Sequence, residues 1–273
     1  MNTLKTFNTG ETNEDLKLKY NPEGSILRKA QCRMLEMLVY LDKICKEQNI
    51  EWSLEGGNVL GAVRHGGFIP WDDDVDIIME RKEYNKLKKY LLSNPHPQFV
   101  LQTHQTDSGY YGSWMVLRDL KSEYIQDSIL HNARKYRGLQ IDIFPIEIGY
   151  FDFFHNIAAQ IHYYNEIYLI GKHPLLANLY YHMEQDILCP IFRYISKLFG
   201  DRNKFTYEYG HHSKPLFKYD SVYPLSYIYF EEYRFPAPKD LDSYLKSLFG
   251  KNYMHLPPIN KRNHHQATYN IYD

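Results

Sequence analysis

The sequence has few cysteines, almost no net charge and no long apolar run, and each shortage excludes a class of protein. Cys32, Cys45 and Cys189 are the only cysteines, an odd number without a C-x-x-C pair, which fits neither a disulfide framework nor a zinc site. Lys and Arg together number 32 and Asp and Glu 33, so the formal net charge is -1. Proteins that neutralise many phosphates are usually more basic, and we therefore expect no nucleic-acid partner.

Long apolar segments are also missing. The most hydrophobic region, residues 150–171, is interrupted by polar residues such as Asp152, His155 and Glu166, so we do not expect it to span a bilayer. The first twenty residues lack the apolar stretch of a secretory signal, and their acidic residues argue against a transit peptide. With the unpaired cysteines, this pattern favours a cytoplasmic location.

Apolar residues make up 44% of the chain and charged residues 24%, which is typical of a soluble globular protein. Aromatic residues reach 16%, with 26 tyrosines. Tyrosine has an apolar body and a polar tip, so this excess suits interfaces, glycan platforms or a membrane surface as well as a core.

Periodicity divides the chain into a tail, a mixed core and a later addition. Residues 1–24 are polar and aperiodic, which predicts a tail. Residues 25–150 predict an α/β (α+β) core, a mixed sheet with helices, and residues 151–273 a helical, aromatic-rich addition to the same domain. The predicted helices cover 26–45, 58–64, 81–92, 151–170, 184–199 and 241–249; the predicted strands cover 51–54, 75–79, 99–103, 113–117 and 139–146.

Four carboxylates stand close together before an apolar strand, at Asp72, Asp73, Asp74 and Asp76. Two carboxylates about 5 Å apart repel by about 3 kcal/mol at an effective dielectric of about 20. A divalent cation relieves this repulsion, and Mg²⁺ or Mn²⁺ suits such oxygen ligands. If the segment is extended, alternate residues share a face, so Asp72, Asp74 and Asp76 point together. A solvated acidic turn and the D-x-D metal site of a glycosyltransferase remain alternatives.

Two further features bear on this choice. Gly56 and Gly57 lie between a predicted strand and a predicted helix, where a phosphate can approach backbone N–H groups. Asp142 lies between Ile141 and Ile143 on an otherwise apolar strand. Because an unpaired buried carboxylate is costly, either an arginine pairs with Asp142 or it faces the same cation as the acidic cluster.

These three features together match the nucleotidyltransferase superfold. The stretch from Gly56 to Ile77, G-G-N-V-L-G-A-V-R-H-G-G-F-I-P-W-D-D-D-V-D-I, closely resembles the signature of the LicD family, phosphocholine transferases of bacterial surface glycans related to fukutin-type ribitol-phosphate transferases. The segment from Leu256 to His265, L-P-P-I-N-K-R-N-H-H, resembles that family's C-terminal motif. The resemblance extends from about residue 25 to the end of the sequence.

The resemblance implies a role for several residues of this chain. Asp72, Asp74 and Asp76 would hold Mg²⁺ or Mn²⁺, and the catalytic acids would be Asp74, Asp76 and Asp142. The CDP-activated nucleotide would contact Gly56, Gly57, Arg64 and Trp71. Lys261, Arg262, His264 and His265 would neutralise phosphate or orient the acceptor, with a solvated basic tail as the alternative. The cysteine ligands of zinc in some fukutin-like relatives have no evident counterpart, so no zinc is expected.

The implied reaction is Mg²⁺-dependent transfer of phosphocholine, or a similar phospho-alcohol, from CDP-choline to a sugar hydroxyl of lipopolysaccharide or teichoic acid, releasing CMP. Such glycan or glycolipid acceptors imply peripheral contact with the inner face of the cell membrane. The alternatives are a D-x-D glycosyltransferase that uses a nucleotide sugar and a catalytically silent glycan-binding protein.

Overall fold

The computed structural model describes residues 6–126, 128–262 and 268–272. The helices are α1 (Asn13–Tyr20), α2 (Ile26–Glu47), α3 (Gly56–His65), α4 (Arg81–Ser93), α5 (Ile129–Ala133), α6 (Asp152–Tyr164), α7 (Pro174–His182), α8 (Cys189–Phe199), α9 (Tyr219–Val222) and α10 (Leu241–Phe249). The strands are β1 (Ser53–Leu54), β2 (Asp76–Glu80), β3 (Phe99–Gln102), β4 (Met115–Asp119), β5 (Ser122–Ile125), β6 (Gln140–Tyr150), β7 (Asp201–Tyr207), β8 (Phe217–Lys218), β9 (Ser226–Phe230), β10 (Tyr233–Ala237) and β11 (Thr268–Ile271). Two π-helical segments, Asn165–Leu169 and Met183–Leu188, precede α7 and α8.

A mixed sheet forms the centre of the fold. Its strand order is β1-β2-β6-β4-β3, and β2 runs parallel to β6 while the other pairs are antiparallel. The first half of the long β6 lies between β2 and β4, and its second half pairs with β7, which also pairs with β8. The mixed α/β fold class predicted from the sequence is therefore confirmed.

Helix α2 supplies much of the core beneath this sheet. Its N-cap is Ser25, whose side chain accepts a hydrogen bond from the Arg28 amide, as the sequence pattern predicts. Met34, Leu38 and Leu41 are completely buried on one face of the helix. Burying side chains of this size contributes about 1.5–3 kcal/mol each, so this apolar face fixes α2 against the sheet.

The prediction that residues 1–24 form only a tail is wrong for the part that the structure describes. Thr12 and Asp15 form a capping box at the start of α1, in which each side chain accepts a hydrogen bond from the other residue's amide. Leu16 is fully buried in the main core. Because α1 buries a single apolar side chain, its sequence shows no helical periodicity.

The description of residues 151–273 as a helical addition is also incomplete. Strand β7 joins the central sheet, and β9 and β10 form a hairpin of their own. The sequence of β7, D-R-N-K-F-T-Y, carries no alternating apolar pattern because its first half is exposed at the sheet edge. Strand β11 pairs with β5, so the C-terminal residues return to the first half of the chain.

Candidate active site

The parallel pairing of β2 and β6 brings two distant aspartates together. In this register Asp76 lies opposite Asp142, and the Asp142 amide donates a 2.9 Å hydrogen bond to the carbonyl of Val75. Neighbouring strands are about 4.8 Å apart, so the two carboxylates start from adjacent positions on the sheet. Each of these aspartates lies between two apolar residues, and they are 66 residues apart in the sequence. The structure places them side by side.

These aspartates open into a cavity of about 300 Å³. Its lining combines acidic, aromatic and cationic side chains, namely Asp73, Asp74, Asp76, Tyr124, Gln126, His131, Arg134, Gln140, Asp142 and Phe144. Burial lowers the pKa of His131 to about 4, which leaves this imidazole neutral at neutral pH. With four carboxylates and one arginine in its lining, the cavity attracts cations.

Asp76 carries a strong electrostatic perturbation. Burial raises its pKa well above the ordinary value, and the charges of Asp74, Asp142 and Glu55 raise it further. A group of like charges in one wall is unfavourable unless a proton or a cation neutralises part of it. The wall formed by β2 and β6 is therefore suited to bind positive charge.

Asp142 is held by two neutral donors. The indole N–H of Trp114 donates to Oδ1 at 2.7 Å, and the side-chain amide of Gln140 donates to Oδ2. The two hydrogen bonds fix the orientation of this carboxylate. Of the two possibilities in the sequence, pairing with an arginine or facing the acidic cluster, the geometry favours the second, since the charge of Asp142 also raises the pKa of Asp76.

The alternation expected for the acidic cluster is not observed. Residues 72–75 precede β2 and do not form a strand, so Asp73 lines the cavity together with Asp74 and Asp76. Asp72 lies instead beside α3, where a Cβ on Gly57 would come 3.0 Å from Asp72 Oδ2. Asp73 accepts a hydrogen bond from the hydroxyl of Tyr269 on β11. The metal role predicted for Asp72 stays a prediction.

Gly56 and Gly57 are the first two residues of α3. Gly56 has a φ of +45°, in the left-handed region, and its amide donates a 3.2 Å hydrogen bond to the hydroxyl of Tyr244. The missing side chain of Gly57 leaves the space that Asp72 uses. A direct contact of either glycine with a nucleotide therefore stays a prediction.

Arg64 and Trp71 lie away from the described lining of the cavity. The Arg64 guanidinium donates to His65 Nε2 and to the carbonyl oxygens of Tyr253 and His255, and burial lowers its pKa to about 10. Trp71 is 5% exposed and packs against His65. In this conformation both side chains connect α3 to the C-terminal loop, and their roles toward a nucleotide stay predictions.

Arg262 of the C-terminal motif is also buried. It lies over the ring of Trp71, donates to Glu11 at 2.8 Å and to the Pro257 carbonyl, and so connects the two ends of the described chain. Lys261 is exposed. His264 and His265 lie outside the described residues.

Sequence reasoning missed Glu55, which directly precedes the glycine pair. Its buried carboxylate accepts hydrogen bonds from the hydroxyls of Tyr207 and Tyr244. Burial raises the pKa of Glu55 to about 7, although both hydrogen bonds oppose the shift, and its charge acts on Asp76. The only sequence signal was its place before Gly56, because both tyrosines come from β7 and α10, more than 150 residues later.

The donor set determines which cofactor the cavity can hold. Among the residues that the structure describes, no three His, Cys, Asp or Glu side chains converge into a ready coordination site. The available donors are nevertheless carboxylate oxygens that repel one another, and their chemistry fits Mg²⁺ or Mn²⁺. Over the described ranges, no helix has both the length and the apolar character needed to cross a bilayer.

Comparisons with known proteins find relatives of the part of the chain that carries this site. The profile of a family described as "LicD/FKTN/FKRP, nucleotidyltransferase domain" matches residues 49–174, which include Asp72 to Asp76 and Asp142. The lipopolysaccharide cholinephosphotransferase LicD of Haemophilus influenzae is 40% identical over 77 residues, 28% of this chain and 29% of that protein. The uncharacterized protein RP689 of Rickettsia prowazekii is 27% identical over 150 residues, 46% of this chain and 53% of its own length.

The ribitol 5-phosphate transferase FKRP of Homo sapiens is 47% identical over 38 residues, 14% of this chain and 8% of that protein. The matched regions thus span at most about half the length of these relatives. Residues 49–174, which carry the paired aspartates of β2 and β6, are thus similar to the nucleotidyltransferase domain of the LicD family.

Proposed function

We propose that the protein transfers phosphocholine, or a similar phospho-alcohol, from a CDP-activated donor to a hydroxyl of a cell-surface glycan and releases CMP. The observation that carries this proposal is the register of β2 and β6, which sets Asp76 beside Asp142 in a wall that Asp74 extends. Two of the relatives are named as a cholinephosphotransferase and a ribitol 5-phosphate transferase, which supports the class of reaction.

In the proposed reaction the acceptor hydroxyl oxygen bonds to the phosphorus that carries the alcohol. The bond from this phosphorus to the bridging pyrophosphate oxygen breaks, and CMP leaves with the electron pair. Asp76 or Asp142 accepts the hydroxyl proton, and both carboxylates lie in the same wall of the cavity. Mg²⁺ bound by Asp74 and Asp76 would offset negative charge on the pyrophosphate.

Arg134 is the residue that we assign to the donor's phosphates. It lines the cavity, and its guanidinium lies 5.3 Å from the centre of the Tyr110 ring, which restricts its orientation. A guanidinium can donate two parallel hydrogen bonds to a phosphate. Arg64 has the same chemistry, but in this structure its donors are directed to His65 and to backbone carbonyls.

An aromatic cluster beside Asp142 favours a cationic alcohol. Trp114 packs against Phe144 and His211, with ring centres 5.2 and 5.4 Å away, and Phe144 reaches the cavity. Burial lowers the pKa of His211 to about 4, so this ring is neutral at neutral pH. Aromatic faces beside a carboxylate are suited to a quaternary ammonium group, which supports choline over glycerol or ribitol.

The test is CMP release, measured with Mg²⁺, a glycan acceptor and a panel of CDP-choline, CDP-ethanolamine, CDP-glycerol and CDP-ribitol. We expect turnover with CDP-choline and a loss of at least about 100-fold in Asp74→Asn, because electrostatic stabilisation at the reacting phosphorus is removed. The control Asp220→Asn changes an exposed aspartate on α9 and should retain activity. Turnover of UDP- or GDP-sugars instead would identify the D-x-D glycosyltransferase, and an unchanged rate in Asp74→Asn would refute the assigned site.

A further inference from the structure

A second cavity lies between the loop before β4 and the start of α7. Its volume is about 470 Å³, within the range of ligand pockets. Tyr111, Ile170 and Leu175 give it an apolar surface, and Ser108 and Asn178 add polar groups. None of the nine described residues that line it carries a charge, whereas the acidic cavity is lined by four carboxylates and an arginine. We call this second space the neutral cavity.

Helix α5 separates the neutral cavity from the acidic one. His131 and Arg134 line the acidic cavity. Ala133 lines the neutral cavity, and Leu130 packs against the apolar cluster that contains Ile170, another residue of its lining. Residues three apart lie on the same face of a helix, so 131 and 134 form one face and 130 and 133 another. The two cavities therefore share α5 as a wall.

The aromatic surface of the neutral cavity is held in place by other rings. The ring centre of Tyr111 lies 5.0 Å from that of His104 and 5.9 Å from that of Tyr181. Tyr111 also packs against the cluster that contains Ile170. A side chain that is already ordered loses little freedom when a ligand binds. Because the C–H groups on one face of a sugar ring pack well against an aromatic ring, an ordered tyrosine suits a sugar.

The polar groups of the neutral cavity match the hydroxyls of a sugar. Oδ1 of Asn178 lies 2.7 Å from Nε2 of His104, which orients this amide and leaves its N–H groups able to donate to a ligand. The hydroxyl of Ser108, which is exposed, can donate and accept. A phosphate or a carboxylate would require a cation, and the described lining provides none. The cavity therefore favours an uncharged ligand with several hydroxyls.

We propose that the neutral cavity binds an uncharged sugar unit of the acceptor glycan, a unit other than the one whose hydroxyl reacts in the acidic cavity. This inference rests on the proposed transfer to a glycan. Tyr111 would pack against the sugar ring, and Asn178 and Ser108 would form hydrogen bonds with its hydroxyls. Residues 170–178, in the helical segment between β6 and β7, would thereby recognise the acceptor.

The experiment is saturation-transfer NMR of the full chain, without donor, with the neutral disaccharides lactose, cellobiose and chitobiose. We expect transfer to at least one disaccharide and a decrease of about fivefold or more in Tyr111→Ala, which removes the aromatic face, and in Ser108→Trp, which fills the cavity. The matched controls are Tyr229→Ala, at a tyrosine that is 67% exposed on β9, and Ser93→Trp, at the exposed end of α4. Both controls should bind like the unaltered protein.

Circular dichroism melting checks that each variant remains folded, and Ser108→Trp, at an exposed position, tests the cavity even if Tyr111→Ala does not fold. Equal saturation transfer in the unaltered protein and in Ser108→Trp would overturn the proposal, and so would a lack of transfer to all three disaccharides. CMP release by a protein that binds no disaccharide would refute this inference alone. Disaccharide binding that Ser108→Trp abolishes, in a protein that uses no CDP donor, would refute the proposed reaction and retain the sugar site.

Discussion

Replacing Asp76 by asparagine should stabilise the protein while it abolishes phospho-alcohol transfer. The Asp76 carboxylate faces the charges of Asp74 and Asp142, and β2 pairs in register with β6. At the strand spacing of about 5 Å and an effective dielectric of about 20, one such pair repels by about 3 kcal/mol. An asparagine side chain has nearly the same shape as that of Asp76 but carries no charge.

The gain should depend on pH. Because burial and like charges raise the pKa of Asp76, its ionisation opposes folding, and stability falls as the pH rises from about 4 through the raised pKa. Proton uptake relieves part of the repulsion, so we expect a gain of about 1–3 kcal/mol at pH 8, or roughly 2–4 °C of melting temperature for each kcal/mol. At pH 5 the difference should be smaller.

The assay is thermal unfolding in a chelating buffer at pH 5 and pH 8, with Asp220→Asn as the control of equal charge change. A lower melting temperature for Asp76→Asn at pH 8 would refute the account of this wall as a site of uncompensated repulsion. Adding Mg²⁺ with CDP-choline should raise the melting temperature of the unaltered protein more than that of Asp76→Asn, since a ligand that binds only the native state stabilises it.

Three further predictions concern other parts of the structure. In Trp114→Leu, loss of the aromatic face beside Asp142 should raise KM for CDP-choline by about 5- to 30-fold, the equivalent of about 1–2 kcal/mol. KM for CDP-glycerol should rise less. Equal increases for both donors would contradict a cationic subsite. In Gly61→Ala, the new Cβ would lie 2.4 Å from the Gly67 carbonyl oxygen, so the melting temperature should fall, whereas an unchanged melt would show that this turn can move. His162→Ala should destabilise the fold by about 3–5 kcal/mol near pH 6, measured by urea unfolding, because the buried Glu184 loses its ion-pair partner and Glu166 keeps only His212.

The His162 network also predicts a direction with pH. Burial lowers the pKa of His162, but the hydrogen bonds that its ring donates to Glu166 and Glu184 outweigh burial and raise the pKa to about 10. The pKa of Glu166 falls to about 2, since hydrogen bonds with His162 outweigh burial. The His162 contribution should therefore decline from about pH 6.5 to 10, and the Glu166 contribution from about pH 4.5 to 2. Urea unfolding of the unaltered protein and of His162→Ala should converge above pH 10.

The pattern of apolar and polar residues was sufficient to predict the central elements of the fold. The periodicity of residues 26–45 predicted α2, and β-branched residues after the aspartates predicted β2, because both elements bury one face in the main core. Strand β7 and helix α1 escaped prediction, since each draws its stability from contacts with segments distant in sequence. Such contacts cannot be predicted from the pattern of neighbouring residues.

The residues of the candidate site were likewise predicted only in part. Asp74 and Asp76 were predicted because four carboxylates crowd before an apolar strand, and Asp142 because it lies between two isoleucines; all three line the same cavity. Asp73 lines the cavity, although the predicted alternation had it point away, because residues 72–75 do not form a strand. Glu55 was not recognised, since its two tyrosine partners lie on β7 and α10.

The most direct test of the central proposal is a crystal of the protein grown with Mn²⁺ and CDP-choline, examined by anomalous scattering. The account predicts a manganese peak within about 2.5 Å of carboxylate oxygens of Asp74 and Asp76, with the donor's phosphates in the cavity beside Arg134. A bound donor whose phosphates and manganese lie away from this cavity would contradict it.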